Sequence, residues 1–514
     1  MTLIDTYSLL LPLLTSSSSL SSMMLLALSL CIVVVASIRS LQKTKTIVIR
    51  DLGTFESLSA DILNSGRLLK KFQVKVDSDV RINGDHPVVR AVMERYRSQS
   101  KPGLRQDKLR IALAIEGGGM RGSVAAGSAA AIHFLGLNDA IDVVYGSSAG
   151  AMIGAYFVSR QFSGIQIYHD ILPASGTLFI DKIKLIFAAG LPAILASLLG
   201  YRNRLTKMKN KNDNDNNTYG NSNNNSSIRT DVFNLDFLIE YVMAILQPLD
   251  WETFSKNEKV QPLSIVASSL QTMKSVTFSK EKGSYNSISS FLQCVRASMS
   301  VPGITGKLMG IFPGKTAPDF IDLDKVRDKE HHSIADAFIC EPLPYRSAIE
   351  EGATHVIVLR TRPDPSPVLG KGPGVFERYI SRNFFDKYQE SQAQAWLIEL
   401  QHHRLYAEDL LRLNEGAKGS DVKVNGKSVY LLPIAPGRAC KEVDQLELGR
   451  ERILRGMQDG CRQVLQIFVP ELGLPDSCVE DMVQMILPDS ILDRDVDILD
   501  YADGNVIRES GVLI

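Results

Sequence analysis

Residues 109–150 read LRIALAIEGGGMRGSVAAGSAAAIHFLGLNDAIDVVYGSSAG, and this stretch decides the fold. Leu109–Ile115 is an apolar run with β-propensity, ended by Gly117-Gly118-Gly119. The alanine-rich segment Val124–Leu135 reads as a buried helix, and Ile141–Tyr145 as a short strand. GSSAG follows, then AMIGAYFVSRQF with helical character. Strand, loop, helix, strand, turn, helix is the pattern of a parallel sheet with crossover helices, so the predicted class is α/β.

Working outward, Leu263–Ser268 and His355–Leu359 read as buried strands and Val429–Pro433 as a short one. Phe376–Leu413 and Leu446–Phe468 have helical patterning. His133 and His355 lie in apolar runs and read as core residues satisfied by hydrogen bonds. An Asn-rich tract at about 205–229 has almost no apolar side chains to repay its ordering entropy, and is expected as a disordered insertion. The expected organisation is an amino-terminal targeting segment at 1–42, a lead-in at 43–106, the main domain at 107–468 and a partly helical carboxy-terminal extension at 469–514.

Leu20–Ile38 is apolar and about as long as a bilayer-spanning helix requires. The first basic residue is Arg39, with Lys43, Lys45 and Arg50 behind it. Charge behind the apolar core, with none in front, favours a single membrane anchor with the body in the cytosol. Organelle targeting with cleavage of this segment is the alternative. The apolar stretch Leu185–Leu199 and its basic flank are a second candidate for the membrane surface, against a plain core helix. A luminal body would instead expose glycosylation acceptors at Asn216, Asn224 and Asn225.

With 57 basic and 57 acidic side chains the net charge is zero, which argues against nucleic acid as a partner. The six cysteines are scattered over 514 residues without a CxxC pair. They read as buried thiols, neither a disulfide framework nor a zinc site. No cofactor and no metal are expected, and oligomeric state is not legible.

Gly146-Ser147-Ser148-Ala149-Gly150 fits G-x-S-x-G, a strand-to-helix turn sharp enough to push a serine hydroxyl into solvent. The spacing selects Ser148 over Ser147 as nucleophile, with Gly146 and Gly150 giving room for the turn. In Glu116-Gly117-Gly118-Gly119-Met120-Arg121-Gly122 the consecutive glycines bare backbone N–H groups that can hold an oxyanion. Arg121 supports that loop or adds positive charge. The same letters spell GxGxxG, a dinucleotide fingerprint. The acid that fingerprint needs belongs at the carboxyl end of the next strand, whereas Asp139 and Asp142 precede or open it. Asp336, before Glu341-Pro342-Leu343-Pro344, is a candidate base for the serine, and a helix cap or surface acid is its other reading. His331 and His332 nearby leave a Ser–His–Asp triad open.

Taken together, EGGGMRG, GSSAG, an Asp followed by PLP, and AIEEGATHVIVLRTRP resemble the patatin-like phospholipase family, the bacterial-type members above all. Arg296-Ala297-Ser298 and Val301-Pro302-Gly303 match a further family block. The resemblance covers roughly Leu109 to Phe468. It implies a three-layer fold, with a mainly parallel central sheet between helices, to which the apolar stretch Leu20–Ile38 would add an amino-terminal hydrophobic helix. It also implies a Ser–Asp dyad: Ser148 as nucleophile, Asp336 as base, and Gly117, Gly118, Gly119 and Arg121 as the oxyanion loop. Substrates would be phospholipids or acylglycerols at a membrane surface, cleaved through an acyl-enzyme. An aspartate is a weak base in water, so the dyad needs burial, and hydrogen-bond reach of about 2.6–3.5 Å between Ser148 Oγ and the Asp336 carboxylate. The family usually has glycine after the aspartate, where this chain has Ala337-Phe338. If that change misplaces Asp336, the domain is a catalytically impaired lipid-binding or interaction module.

Overall fold

A computed structural model of the chain describes residues 45–64, 72–181 apart from 79, 81 and 83, 232–321, 331–370, 375–386, 390–498 and 501. The expected anchor at Leu20–Ile38, the apolar stretch Leu185–Leu199 and the Asn-rich tract lie outside these residues. Among the described residues no helix is long and apolar enough to cross a membrane.

The main sheet is built on five parallel strands: β3 (Ile111–Ile115), β4 (Val143–Ser147), β5 (Leu263–Ser269), β10 (His355–Leu359) and β13 (Lys427–Ile434). They run in the order β13-β10-β3-β4-β5. The flanks are antiparallel. β12 (Val422–Val424) pairs with β13, and β6 (Lys274–Phe278) with β5. β9 (His332–Ala335) also pairs with β5, and beyond it follow β7 (Met309–Ile311) and β8 (Asp319–Phe320). Side chains of a strand alternate between faces. In β3, Ile111, Leu113 and Ile115 enter one core, and Ala112 and Ala114 the other. Both faces are therefore covered, as the near-continuous apolar strands require.

One layer contains helices α2 (Pro87–Arg97), α3 (Ser123–Phe134), α4 (Ala149–Val158) and α9 (Arg450–Phe468), as well as α5 (Ile288–Ser298). The opposite core is covered by α8 (Gln401–Gly416) and by a small sheet of β1 (Lys45–Ile49), β2 (Phe72–Val76) and β11 (Ser366–Gly370), with α1 (Leu52–Asn64) beside it. Within 43–106, expected as a lead-in, β1, β2 and α1 thus join one core and α2 the other. The stretch Phe376–Leu413 is not one helix. It divides into α6 (Val375–Ile380), α7 (Ser391–Ile398) and α8, and Leu400 in the left-handed region (φ 57°) turns the chain between the last two. Beyond Val469, α10 (Cys478–Ile486) buries Val479, Val483 and Ile486 in the core that holds α9. Cys294, Cys340 and Cys461 are buried free thiols, whereas Cys440 and Cys478 are only partly buried. His133 takes Asn138 as partner and His355 takes Thr354.

The alanine-rich sequence of α3 lets α9 approach to backbone contact. A Cβ on Gly127 would stand 2.0 Å from the Met457 carbonyl oxygen, and one on Gly460 2.0 Å from that of Val124. Backbone cannot yield as a flexible side chain does. Gly127→Val is therefore expected to destabilise the fold by about 3 kcal/mol or more, at the upper end of overpacking costs, read as a lowered midpoint in urea.

Candidate active site

The site is a consequence of how β5 is shared. β6 occupies one edge of β5 along residues 265–269. On the other edge β4 pairs up to Ser147 opposite Val266, and β9 takes over with Ala335 opposite Ser268. β4 runs parallel to β5 and β9 antiparallel, so the next residue of each, Ser148 and Asp336, comes beside Ala267. Ser148 Oγ donates to Asp336 Oδ2 at 2.7 Å.

Ser148 sits at φ 52°, ψ −121°, a conformation sparsely populated for a residue with a side chain. The turn is tight because nothing larger than hydrogen fits its flanks. A Cβ on Gly146 would stand 2.5 Å from Ala151 Cα, and one on Gly150 2.2 Å from the Ile115 carbonyl oxygen. Ser147 is fully buried and its hydroxyl donates to the Glu341 carbonyl, whereas Ser148 is only partly buried.

Asp336 caps the short 3-10 turn Ala337–Ile339, and its Oδ1 accepts from Phe338 N–H at 2.8 Å. Its own N–H donates to the Ser300 carbonyl at 2.7 Å. Burial pushes the Asp336 carboxyl up to about 6, against the hydrogen bonds from Phe338 and Ser148, which lower it. Ala337 has no positive φ, so the alanine in place of glycine costs the turn nothing. His332 does not approach the pair; its Nε2 meets Ser269 Oγ at 2.6 Å.

The glycine loop lies against the serine: a Cβ on Gly117 would stand 2.9 Å from Ser148 Cβ. Gly117, expected in the oxyanion loop, is not one of its free donors. The Gly117 N–H donates to the Pro342 carbonyl at 3.1 Å, so Gly117 supplies room for the elbow and no free donor. Met120 N–H is taken by the Gln445 carbonyl. Held on both sides, the loop leaves the Gly118 and Gly119 amides without a partner among the described residues, both half-buried and both at positive φ, 150° and 59°. Arg121 supports the loop from behind. Its Nη1 pairs with Glu442 Oε1 at 2.8 Å, and a Cβ on Gly118 would stand 3.2 Å from its Nε. Burial, and then the neighbouring Arg362, push the Arg121 guanidinium down, while Glu116 and Glu442 work against that. Glu116 accepts from Thr361 through backbone and hydroxyl, and from Tyr406 OH at 2.8 Å, tying the loop to the end of β10 and to α8.

Ser298, in the Arg296-Ala297-Ser298 block, has a role that no motif marks. Its Oγ accepts the Ser148 N–H at 2.7 Å and donates to the Val266 carbonyl at 2.5 Å, pinning the elbow to β5. Ser298→Ala strands both backbone groups in the interior. We expect a stability loss of about 1–3 kcal/mol, measured by urea unfolding, with a fall in turnover as the elbow loosens. The bracing carbonyls of Glu341, Pro342 and Gln445 have no side-chain signature. Asp142 pairs with Arg95 and Arg105, and Asp139 with Arg160, all before β4 begins. The carboxyl end of β4 carries the elbow, and neither Asp139 nor Asp142 lies there.

The family model for patatin-like phospholipases matches residues 113–349, from within β3 to past Asp336. The chain carries a patatin-like phospholipase domain. That match supports lipid ester hydrolysis at the level of the family alone. Structures similar to it include VipD from Legionella pneumophila, 14% identical, covering 78% of this chain and 74% of that one, with a TM-score of 0.29. Human GIVD cytosolic phospholipase A2 is 11% identical, covering 79% of this chain and 64% of that one, with a TM-score of 0.35. The same human enzyme in complex with methyl gamma-linolenyl fluorophosphonate gives 13% identity, 79% and 62% coverage and a TM-score of 0.33. The chain thus spans less than two thirds of the human enzyme's length. No curated protein matches it. Beyond the matched segment, β10, β13 and α9 belong to the same sheet and core as the matched strands.

Proposed function

We propose that the protein is a membrane-associated serine acyl hydrolase that cleaves fatty-acyl esters of phospholipids or acylglycerols through a Ser148–Asp336 dyad. The observation that carries this reading is the 2.7 Å hydrogen bond from a strained serine to a buried carboxylate whose basicity is raised by that burial. Ionised Asp336 takes the hydroxyl proton as Ser148 Oγ attacks the ester carbonyl. The Gly118 and Gly119 N–H groups donate to the carbonyl oxygen as negative charge develops on it. Collapse expels the alcohol, which takes the proton back from Asp336, and the acyl group stays on Ser148. Water then gives its proton to Asp336 and attacks the acyl carbonyl. The fatty acid leaves as the proton returns to Ser148.

On this reading the catalytic body is residues 107–468, and the apolar amino-terminal segment holds it at a bilayer. The test is fatty-acid release from mixed phospholipid–diacylglycerol vesicles by the full chain. Release should persist in Ser147→Ala, provided that variant folds, and vanish in Ser148→Ala. Equal release by wild type and Ser148→Ala would overturn the proposal.

A further inference from the structure

Outside the hydrolase site, Glu377, His402 and His403 bring one potential ligand atom each to within 4.8 Å of one another. Among the described residues no other group of three or more His, Cys, Asp or Glu side chains does so. The arrangement follows from the chain path. Leu400 in the left-handed region starts α8 afresh, which puts both histidines in its first turn. Successive helical residues diverge by about 100° around the axis. Yet both rings turn to one carboxylate on α6: His403 Nε2 lies 3.4 Å from Glu377 Oε1 and His402 Nε2 lies 3.9 Å from it. The two ring centroids are 4.3 Å apart.

His402 is the informative member. The residue is 8% exposed, and its Nδ1 has no hydrogen-bond partner. Its Nε2 is beyond hydrogen-bond length from the carboxylate it faces. Buried polar groups are nearly always paired. An imidazole with neither nitrogen well satisfied, facing a second imidazole and a carboxylate, lacks something at the centre. We propose that Glu377, His402 and His403 bind a borderline divalent cation, zinc foremost, with a fourth position left to water.

The donor set fits. Two imidazoles and one carboxylate are a recurrent zinc set, whereas calcium and magnesium take oxygen ligands. Tetrahedral zinc with bonds of about 2.0–2.2 Å needs donors separated by about 3.3 Å, so small side-chain movements close the site. His403 and Glu377 are only partly buried, which gives them room to move. The ion would tie α6 to α8. The His402 ring also stands edge-on to Phe338, 6.1 Å between centroids, and Phe338 N–H is the donor to Asp336 Oδ1. The site is independent of any role for Ser148.

The full chain, stripped by chelation, should take up one equivalent of Zn²⁺ in a calorimetric titration and should ignore Ca²⁺ and Mg²⁺. Cobalt in place of zinc should give visible absorption bands of a tetrahedral site. Losing a ligand should cost at least as much as losing an outer-shell partner, about 10–100-fold in affinity, in both Glu377→Gln and His403→Ala. Melting of the stripped variants guards against a folding defect, and either variant that folds suffices for the test. No stoichiometric zinc uptake by wild type, or uptake unchanged in the folded variants, would overturn the proposal.

Discussion

Ser148→Ala is expected to lower turnover on ester substrates by on the order of 10⁴-fold or more and to abolish labelling by an alkyl fluorophosphonate. The whole mechanism passes through the oxygen that this change removes. What remains is the loop of amides, which can still polarise a carbonyl but has no nucleophile to present to it. The fold should hardly notice. Ser148 is only partly buried, and its backbone hydrogen bond to Ser298 Oγ is kept by alanine. The hydroxyl does donate to Asp336, so its loss makes that carboxyl harder to ionise. A melting midpoint within a few degrees of wild type, together with lost turnover, separates this outcome from simple unfolding.

Asp336→Asn should lower turnover by on the order of 10³–10⁴-fold while making the protein more stable at neutral pH. The amide is nearly isosteric. Its oxygen can keep the Phe338 N–H and its NH₂ can donate to Ser148 Oγ, but it cannot take a proton. The stability gain follows from linkage. In the fold the carboxyl titrates near 6, and in the unfolded chain near the usual value of about 4. The native state therefore holds the proton more tightly. The stability from that protonation is complete below about pH 4 and is lost as pH rises through about 6. At pH 8 a charged, buried Asp336 costs the fold on the order of 2–3 kcal/mol, which the neutral amide removes. The variant should thus exceed wild type in urea resistance at pH 8, and the gap should close near pH 4. Wild-type kcat/KM should rise with pH to a plateau above about 6, because only the ionised base works.

The parallel core of the fold was legible because strands buried on both faces read as continuous apolar runs, as in Ile111–Ile115 and His355–Leu359. The elbow was legible for a steric reason: its glycines are fixed by clashes that any side chain would make. The antiparallel arm was not. β7, β8 and β9 are two to four residues long, too short to carry a period, and β9 is where Asp336 gains its position. The break at Leu400 was hidden as well, since a buried leucine in the left-handed region bears none of the usual marks of a turn. In the glycine loop the letters could not distinguish free amides from engaged ones. The difference between Gly117 and Gly118 is a carbonyl supplied by Pro342, far along the chain. The two histidines of α8 showed no metal-site spacing, because their partner Glu377 lies beyond another helix.

The most direct measurement of the central claim is mass-spectrometric mapping of the adduct that an alkyl fluorophosphonate leaves on the full chain, compared between wild type and Asp336→Asn at pH 8. One adduct is expected, on Ser148, formed at least about 10²-fold more slowly when Asp336 is replaced. An adduct on another serine, or one on Ser148 that forms as fast without the carboxylate, would contradict it.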